Sequence, residues 1–379
     1  MSLTVLQQKV QTVATQLLAN QLNVWNSASG GTLVMGSSVQ TADLVEQLSW
    51  GLISGLVTER NAFAAPGTPA DQKVMAQMLA NTVKLDGKVG PLVITSGMLD
   101  KLNQSMQQIA AVVATQAAQG MIASFVGTSA KALQAAIKSG AYAGIVSVQP
   151  ANIAEGKIPV GAKFPTLIDL EVATVPFGDR MSDIRAWVMS GAQFTYFRAY
   201  DVLTNPTELF KIDTVRIMED GSGRRFIVTD QAGLGDDILG LTQGAAVVNA
   251  GSLTMASGTV LGEENIKNVL QGEFSYDLAV KGYKLKGSAT ATAGQRSFKI
   301  SDVTTSANWE KIANAGVDTA PASFDGAKPD IVGGGQGGST GVLTQQDAQE
   351  QIPANVKNSA GVILTLTATV APSTGGGGA

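Results

Sequence analysis

The fold of this chain is decided by two short stretches, DIRAWVMS at residues 183–190 and GRRFIVTD at residues 223–230. In the first, Ile184–Met189 is a short segment that is apolar except at Arg185 and is bounded by polar residues, which predicts a buried strand. The segment that follows, Ser190–Leu203, includes the aromatic residues Phe194, Tyr196 and Phe197 and is predicted as a helix. A buried strand that leads directly into a helix indicates a mixed region of strands and helices.

The second stretch lies in the clearest hairpin pattern of the chain. Val215–Met218 and Arg224–Thr229 flank the turn sequence EDGSG, whose residue types suit a tight connection. A helix is predicted at Pro165–Val175, and Thr344 is predicted to cap a short helix in the tail. Further strands are predicted at Ala245–Asn249, Phe274–Val280, Tyr283–Lys286, Ser297–Ile300 and Val362–Val370.

A long uncharged helix pattern precedes this region. Apolar residues recur at helical spacing, and no charged residue lies between Lys101 and Lys131. We therefore predict one continuous helix from Thr95 to Val126, followed by a shorter helix at Ser129–Lys138. A surface helix of this length normally carries charge on its outer face. A neutral one is buried in a large protein or covered by a neighbouring subunit.

The N-terminal segment has a separate helical pattern. Leu3, Leu6, Val10, Val13 and Leu17 are spaced by three and four residues, which predicts a helix over residues 3–18 with a heptad stripe. The run NSASGG at residues 26–31 then interrupts the pattern. Two interpretations stay open, a helix that packs on its own domain and an arm, outside the subunit core, that clasps a neighbour.

Between these helices lies a loop signal. AAPGTP at residues 64–69 holds two prolines and a glycine, which is typical of an exposed loop. Asp71–Asp86, after it, shows apolar residues at helical spacing and is predicted as helical.

Neither cysteine nor histidine occurs among the 379 residues. Histidine is the usual general base and the commonest metal ligand, and cysteine is the usual thiolate nucleophile and soft metal ligand. Their absence excludes Ser-His-Asp and Cys-His catalysis, ordinary zinc sites and haem held by either residue. The composition therefore indicates a structural protein and not an enzyme.

The charge content supports the same interpretation. Charged residues make up 15% of the chain, against roughly a quarter in an average soluble protein. Interface centres are depleted of charge, so this low value suits a subunit covered by neighbours. A net charge of −4 offers no basic excess for nucleic-acid binding. Neither a secretory signal nor an unbroken apolar span is present, so we expect a soluble protein made in a cytoplasm.

Two glycine-rich motifs have simpler explanations than chemistry. GGGQGG at residues 333–338 has the spacing of a dinucleotide-binding loop, but in so glycine-rich a stretch the match is nearly automatic, and a flexible loop is favoured. GGSTG at residues 337–341 has the spacing of a nucleophile elbow, which requires a histidine that the chain lacks.

Acidic residues are the other candidates. The pairs Asp236-Asp237 and Glu263-Glu264 have the oxygen ligands that Ca²⁺ or Mg²⁺ prefers, although solvated surface charge is the favoured interpretation. Asp179 and Asp183 flank Arg180, which predicts a cap or a local ion pair. We therefore assign no catalytic, cofactor-binding or metal-binding residue.

The block between residues 183 and 230 resembles the central block of tailed-bacteriophage major capsid proteins. There, a strand that ends in Val-Met-(His)-Ser leads into a helix and then a hairpin of the form Gly-x-x-Val-Ile-Val-x-Asp. Here Met189 joins Ser190 directly, without the histidine. The uncharged helix resembles the family's spine helix, and Phe274–Lys286 and Ala307–Lys311 resemble its late strand pair and the segment that follows. The resemblance covers roughly residues 51–313.

The resemblance implies an α+β fold of the Hong Kong 97 (HK-97) type. Its parts would be an N-terminal arm (1–45), an extended-loop region (46–90), a peripheral domain with the spine helix (91–145), an axial domain (146–270), return strands to the peripheral domain (271–315) and a glycine-rich C-terminal segment (316–379). The implied function is that of a major capsid protein, whose hexamers and pentamers form an icosahedral shell around double-stranded DNA.

The same resemblance implies the partners and the location. They are further copies of the chain, portal and scaffolding proteins and a decoration protein, with no cofactor, no membrane and no sequence-specific contact to the DNA. The chain would belong to the virion capsid and assemble in the host cytoplasm. The alternative is another self-assembling virion protein, such as a tail-tube, sheath or flagellin-like subunit. A carboxylate-based glycosidase is disfavoured because aromatic residues make up only 5% of the chain.

Overall fold

A computed structural model of the protein describes residues 3–37, 44–50, 77–95, 106–139, 145–148, 164–200, 206–261, 266–286, 298–312 and 359–366. Their helices are α1 (Leu3–Ala28), α2 (Met106–Lys138), α3 (Leu167–Ala173), α4 (Gly191–Tyr200) and α5 (Ile300–Val303), with 3-10 segments at Val175–Asp183 and Ser306–Asn308.

Strands make up much of the remainder. They are β1 (Leu33–Gly36), β2 (Leu44–Trp50), β3 (Gln77–Thr95), β4 (Ile145–Val148), β5 (Ile184–Met189), β6 (Thr207–Ile212), β7 (Val215–Glu219), β8 (Arg225–Val228), β9 (Asp237–Thr242), β10 (Ala246–Ala250), β11 (Thr254–Val260), β12 (Lys267–Val280), β13 (Tyr283–Leu285), β14 (Trp309–Lys311) and β15 (Gly361–Leu366). The predicted α+β class is confirmed.

The strands form two large sheets and one small one. The first sheet has the order β1-β10-β12-β3-β2, with β11 also paired to β12. The second has the order β4-β15-β9-β5-β8-β7-β6, and β13 pairs with β14. Helix α2 contacts strands of both sheets, so it lies at the centre of the fold.

Strand β5, at the middle of the second sheet, is buried on both faces. On β5, Ala186 and Val188 join the main core with α1 and α2, whereas Trp187 and Met189 join a second core with α3 and α4. A strand that is buried on both faces has apolar residues at nearly every position of its sequence. This pattern predicted β5 with its correct bounds. The predicted hairpin is also present, as antiparallel β7 and β8.

The long helix is present but displaced along the sequence. Thr95, its predicted cap, is the last residue of β3, and α2 runs from Met106 without a break to Lys138. The separate helix predicted at Ser129–Lys138 is therefore wrong, because it is the last part of α2. Residues 96–105, which the prediction also included, lie outside the described residues.

The interpretation of the N-terminal segment as an arm outside the subunit core is wrong. Helix α1 continues to Ala28 and packs against α2 in the same chain. Its buried residues are Leu6, Val10, Ala14, Leu18, Leu22 and Trp25. Their spacing is mostly four residues, the ridge pattern of helices that pack in globular cores. The heptad stripe is likewise wrong at Val13, which is exposed.

The connection after α1 is a turn that hydrogen bonds hold in place, and it is not a linker. Gly30 and Gly31 both have φ of 67°, the left-handed conformation that ends helices. The Asn26 side chain donates to the Met35 carbonyl and accepts from the Met35 amide, both at 2.8 Å. These bonds fix β1, which runs parallel to β10, directly beside the end of α1.

The helix predicted at Asp71–Asp86 is wrong for its described part. Residues 77–86 belong to the 19-residue strand β3, which lies between β2 and β12. Val83 and Leu85 alternate with less buried neighbours, and the Asn81 side chain bonds both the amide and the carbonyl of Leu285 at 2.9 Å. Pairing with distant strands overrides the local helical spacing.

The other predicted strands and helices are partly confirmed and partly wrong. Strands β10, β12, β13 and β15 and helices α3 and α4 confirm predicted elements, although β12 is twice as long as predicted and β15 ends at Leu366. The strand predicted at Ser297–Ile300 is wrong beyond one bridge at Phe298, since Ile300 begins α5. The loop at residues 64–69 and the helix capped by Thr344 lie outside the described residues. Strand β15 comes from the predicted glycine-rich C-terminal segment, and yet it lies inside the second sheet.

Close packing in this sheet gives a first prediction. A Cβ atom at Gly240 on β9 would lie 2.8 Å from Trp187 Cζ3 and 2.8 Å from Val362 Cγ2. We expect Gly240→Ala to lower the free energy of unfolding by about 1–3 kcal/mol through overpacking. Gly258→Ala on β11 is the matched control, because a Cβ there meets nothing within 4 Å. Thermal melts of both variants check this, and equal melting temperatures would contradict it.

Candidate assembly surfaces

The structure explains most of the acidic residues that the sequence singled out. Arg180 and Asp183 form the predicted local ion pair, with 2.6 Å between Arg180 Nη2 and Asp183 Oδ2. Asp237 is buried, so surface charge is the wrong interpretation for this residue. Among the described residues, no group of three or more acidic side chains could hold a metal ion. Glu263-Glu264 and both glycine motifs lie outside the described residues.

Asp237 joins α2 to the second sheet. Its Oδ2 accepts from Lys138 Nζ and Gln134 Nε2 on the last turns of α2, and its Oδ1 accepts from Thr365 Oγ1 on β15 at 2.8 Å. A buried carboxylate is stable only when such donors surround it. This network therefore fixes the long helix relative to two adjacent strands.

We expect Asp237→Ala to lower the free energy of unfolding by about 2–3 kcal/mol, because three donors lose their acceptor. Lys138 is partly exposed and regains some hydration, which limits the loss. The control is Glu310→Ala, which removes an exposed ion pair to Lys284 and should cost less than about 1 kcal/mol. Urea denaturation of both variants measures the difference, and a smaller loss for Asp237→Ala than for the control would contradict the role.

Within the described part of the chain, three titratable groups have shifted pKa values, all mainly through burial. Burial raises the pKa of Tyr276, with the charge of Asp86 adding to the rise and the bond to Thr128 opposing it. Burial also raises the pKa of Tyr283. The pKa of Lys281 is lowered by burial and then by nearby Arg180, against the opposing charge of Asp183. The two tyrosines are therefore neutral core residues at physiological pH.

Much of the exposed surface of α1 and α2 is uncharged. Helix α1 has one charged residue, Lys9, and α2 has none before Lys131. The first half of α2 nevertheless has a solvent-facing side that includes Val112, which is 55% exposed. From Met121 to Ile137 almost every side chain is buried. The second half of α2 is thus buried within the subunit, which is one of the two alternatives predicted for a neutral helix, and the first half has an exposed face that is free of charge.

A cluster of exposed apolar side chains lies at one end of the first sheet. Strand β2 pairs antiparallel with β3, which pairs with β12 and through it with β11. Apolar side chains are exposed at the end of the sheet where β3 and β11 end and β12 begins. They are Leu92, Val93, Val260, Leu261 and Ile266. Apolar clusters of this kind mark contact sites with other molecules.

By length and composition, Gln108–Lys138 of α2 could cross a membrane. Ile122, Phe125, Val126 and Leu133 from this helix are, however, fully buried in the main core with residues of both sheets. Core helices of this kind meet the same criterion, so the apolar stretch gives only weak support for a membrane span.

The geometry, then, offers surfaces for contact with other molecules and a polar network that supports the fold. The family model described as Gp13-like, major capsid protein 13-like, matches residues 2–321. The chain belongs to the major capsid protein 13-like family. Membership confirms the resemblance to major capsid proteins that the block at residues 183–230 indicated. The protein is a structural component of a virion capsid and not an enzyme, and copies of it assemble to build that capsid.

Solved structures add distant likenesses to this capsid protein. It is similar to a structure from Mycobacterium phage Adephagia, with 8% identity over 70% of this chain and 85% of the other and a TM-score of 0.40. The capsid structure of cyanophage P-SCSP1u shows 11% identity, 66% and 84% coverage and a TM-score of 0.40. The satellite phage P4 procapsid including size determination (Sid) protein shows 12% identity, 70% and 87% coverage and a TM-score of 0.39. No curated protein sequence matches the chain. The assignment rests on the family match.

Sequence reasoning missed the surfaces themselves. It predicted that a neighbour covers a neutral helix, but the exposed faces of α1 and α2 depend on how the two helices pack. The exposed cluster at the end of β11 and β12 was also missed. In the sequence, Val260, Leu261 and Ile266 flank the acidic pair Glu263-Glu264, and this grouping of large apolar residues around charged ones is the signal that could have identified the cluster.

Proposed function

We propose that copies of this capsid protein form hexamers and pentamers that close into an icosahedral shell around double-stranded DNA, in the manner of HK-97-type capsids of tailed bacteriophages. The observation that carries the proposal is the family match over residues 2–321. The uncharged faces of α1 and α2 support it, because surfaces that neighbours cover lack charge.

We propose a division of the subunit that is based on the two sheets. We assign α2 and the first sheet to the peripheral domain, with β10 and β12 as strands that return to it. The second sheet, with α3 and α4, corresponds to the axial domain, and the hairpin of β2 and β3 to the base of the extended loop. Because α1 packs on α2, we assign it to the peripheral domain. Strand β15 adds part of the C-terminal segment to the axial domain.

The net charge of the subunit supports a role in which it encloses the packaged DNA without binding it tightly. With a net charge of −4, the subunit has no basic excess to hold phosphates, so a lining built from it encloses DNA without binding its sequence. Portal and scaffolding proteins would be the further partners of such a shell, with a decoration protein on its exterior. Assembly would take place in the host cytoplasm.

Negative-stain electron microscopy of the purified chain over a series of concentrations tests the proposal. We expect rings of five and six subunits or closed shells, with sedimentation velocity reporting the same species. Helical tubes would support a tail-tube or sheath subunit instead. A chain that stays monomeric at every concentration would overturn the proposal.

A further inference from the structure

The exposed side of α1 is uncharged apart from Lys9. Along its middle lie six exposed residues on the side opposite to the core residues of the helix. We define them as the α1 outer face: Gln8, Thr12, Thr15, Gln16, Ala19 and Asn23. A solvated helix side of this length normally carries several charges. Depletion of charge is typical of the centre of an interface, so this face is suited to contact with another protein surface.

A groove of about 440 Å³ lies on the α1 outer face. The described residues that line it are Gln8, Gln11, Thr12, Thr15 and Gln16. Gln8, Thr12 and Gln16 are spaced by four residues and form one ridge of the helix, and Gln11 and Thr15 belong to the next ridge. A groove between two such ridges accepts a ridge of three-residue spacing from another helix, and the two helices are then aligned to within about 20°. The shape of the face therefore suits a second helix.

The lack of charge restricts what that helix can be. DNA would require clustered basic residues, and a charged protein surface would require opposite charges, whereas Lys9 is the one charged residue of α1. Side-chain amides and hydroxyls both donate and accept hydrogen bonds, so a surface built from them is complementary to a copy of itself. Copies of this capsid protein assemble with one another, so an identical α1 is present wherever the protein assembles.

Antiparallel packing places the α1 outer face onto itself. The centre of the contact lies between Thr15 and Gln16, and these two residues are opposite each other in the two copies. Thr12 of one copy then lies opposite Ala19 of the other, because both are equally far from the centre. Each helix presents the same positions to its partner, so the contact is isologous.

The ends of the face and the one charge also fit this register. Gln8 lies opposite Asn23, so side-chain amides meet at both ends of the contact and can donate to and accept from each other. The two copies of Lys9 are about 20 Å apart along the helices. This distance is about twice the Debye length at 0.1 M salt, so salt screens their repulsion.

The size of the contact indicates where it acts. The segment Gln8–Asn23 is about 24 Å long and about 10 Å wide, so each copy contributes on the order of 250 Å². The two copies together bury about 500 Å², which is less than half of the roughly 1,200 Å² at the lower limit for stable complexes. The contact therefore does not hold a free dimer. It acts between copies that other contacts already hold in an assembly.

We propose that the α1 outer face packs antiparallel against the same face of a second copy across a two-fold axis, and that this contact joins adjacent rings of the shell. Successive copies within a ring of five or six are related by a rotation other than two-fold, so their contacts are heterologous. An isologous contact therefore lies between rings. The inference rests on the proposed function, because it requires that rings form.

Paired charges at Thr12 and Ala19 test the register. In Thr12→Glu/Ala19→Glu, each contact brings two pairs of like charges together, and we expect roughly a tenfold or greater loss of closed shells while rings still form. Thr12→Lys/Ala19→Glu is the matched control, because each lysine faces a glutamate in the antiparallel register, and it should form shells like the unaltered chain. Both positions are exposed in the subunit, so the two variants should have the same melting temperature. Electron microscopy and sedimentation velocity measure the rings and shells.

The absence of cysteine permits a second test by disulfide formation. Thr12→Cys/Ala19→Cys is assembled and then oxidised. Within one chain these positions are about 10 Å apart along α1, which is beyond the reach of a disulfide, so a bond must join two copies. We expect cross-linked dimers from the double variant. Thr12→Cys alone and Ala19→Cys alone should stay monomeric on a denaturing gel, because equal positions are also about 10 Å apart across the contact.

The outcomes separate this inference from the proposed function. If the unaltered chain and Thr12→Glu/Ala19→Glu form shells equally well, the face is not a contact between copies. If Thr12→Lys/Ala19→Glu also loses shells, the face binds a different surface or another protein, and the inference is wrong. Cross-links in either single variant would mean another register and would overturn it too. An unaltered chain that forms only rings would overturn the contact between rings alone, whereas a chain that stays monomeric would overturn the proposed function together with this inference.

Discussion

Replacement of Ala114 by aspartate should lower the free energy of unfolding by on the order of 4 kcal/mol. Ala114 is fully buried in the first half of α2, in the main core that α1 also joins. A carboxylate there loses its hydration without gaining a partner, and its pKa must rise or the packing must open. The added volume also has no free space in a close-packed core.

Ala111→Asp is the control for this substitution. Ala111 lies on the same helix less than one turn earlier and is exposed, so the same change should cost only the difference in helix propensity, about 0.7 kcal/mol. Urea denaturation at pH 7 compares the two variants. Should Ala114→Asp and Ala111→Asp unfold at the same urea concentration, this face of α2 would be free of α1 in solution.

Locally encoded elements were the ones that the sequence predicted well. Strand β5 is apolar at nearly every position because both of its faces are buried. The turn between β7 and β8 is specified by its own residues, since Asp220 Oδ1 accepts from the amides of Ser222 and Arg224 at 2.9 and 2.8 Å. Gly223 has the positive φ of 79° that such a turn requires. Signals contained in about five residues are readable without knowledge of the fold.

Elements that depend on distant partners were the ones missed. Strand β3 pairs with β12, almost 200 residues away, and nothing within residues 77–86 reports that partner. The buried stripe of α1 follows mostly four-residue spacing along the side that contacts α2, whereas the sequence also fits a heptad. The contribution of β15 to the second sheet is equally non-local. Sequence periodicity shows which side of a helix or strand is apolar, but it does not show which other element covers that side.

The functional class was more predictable than the surfaces that perform it. The lack of cysteine and histidine and the low charge content excluded most catalytic sites, and the block at residues 183–230 indicated the family. The exposed apolar side of α3, with Ile168 and Val172, could not be predicted, because it depends on which side of this short helix faces the second sheet. Asp237 shows the same limit, since its burial follows from the approach of α2 to β9.

A chain that begins at Gly31 should lose its cooperative unfolding transition. Helix α1 supplies Leu6, Val10, Leu18, Leu22 and Trp25 to the main core, and each large apolar side chain contributes about 2 kcal/mol when buried. The total of about 10 kcal/mol is comparable to the whole net stability of a domain. Deletion also exposes the apolar surface of α2 and the β11 edge, where Met255 O accepts from Gln7 Nε2.

Two neighbouring residues on α1 provide the matched comparison for this deletion. Trp25 is fully buried, donates from Nε1 to the Leu33 carbonyl at 2.9 Å and packs edge-on against Phe210, so Trp25→Ala should cost about 3–5 kcal/mol. Val24 is 53% exposed, and Val24→Ala should change stability by no more than about 0.5 kcal/mol. Differential scanning calorimetry of all three proteins measures the transition. If the shortened chain melts cooperatively near the temperature of the full chain, α1 is an arm that leaves the subunit core, and its contact with α2 does not stabilise the fold.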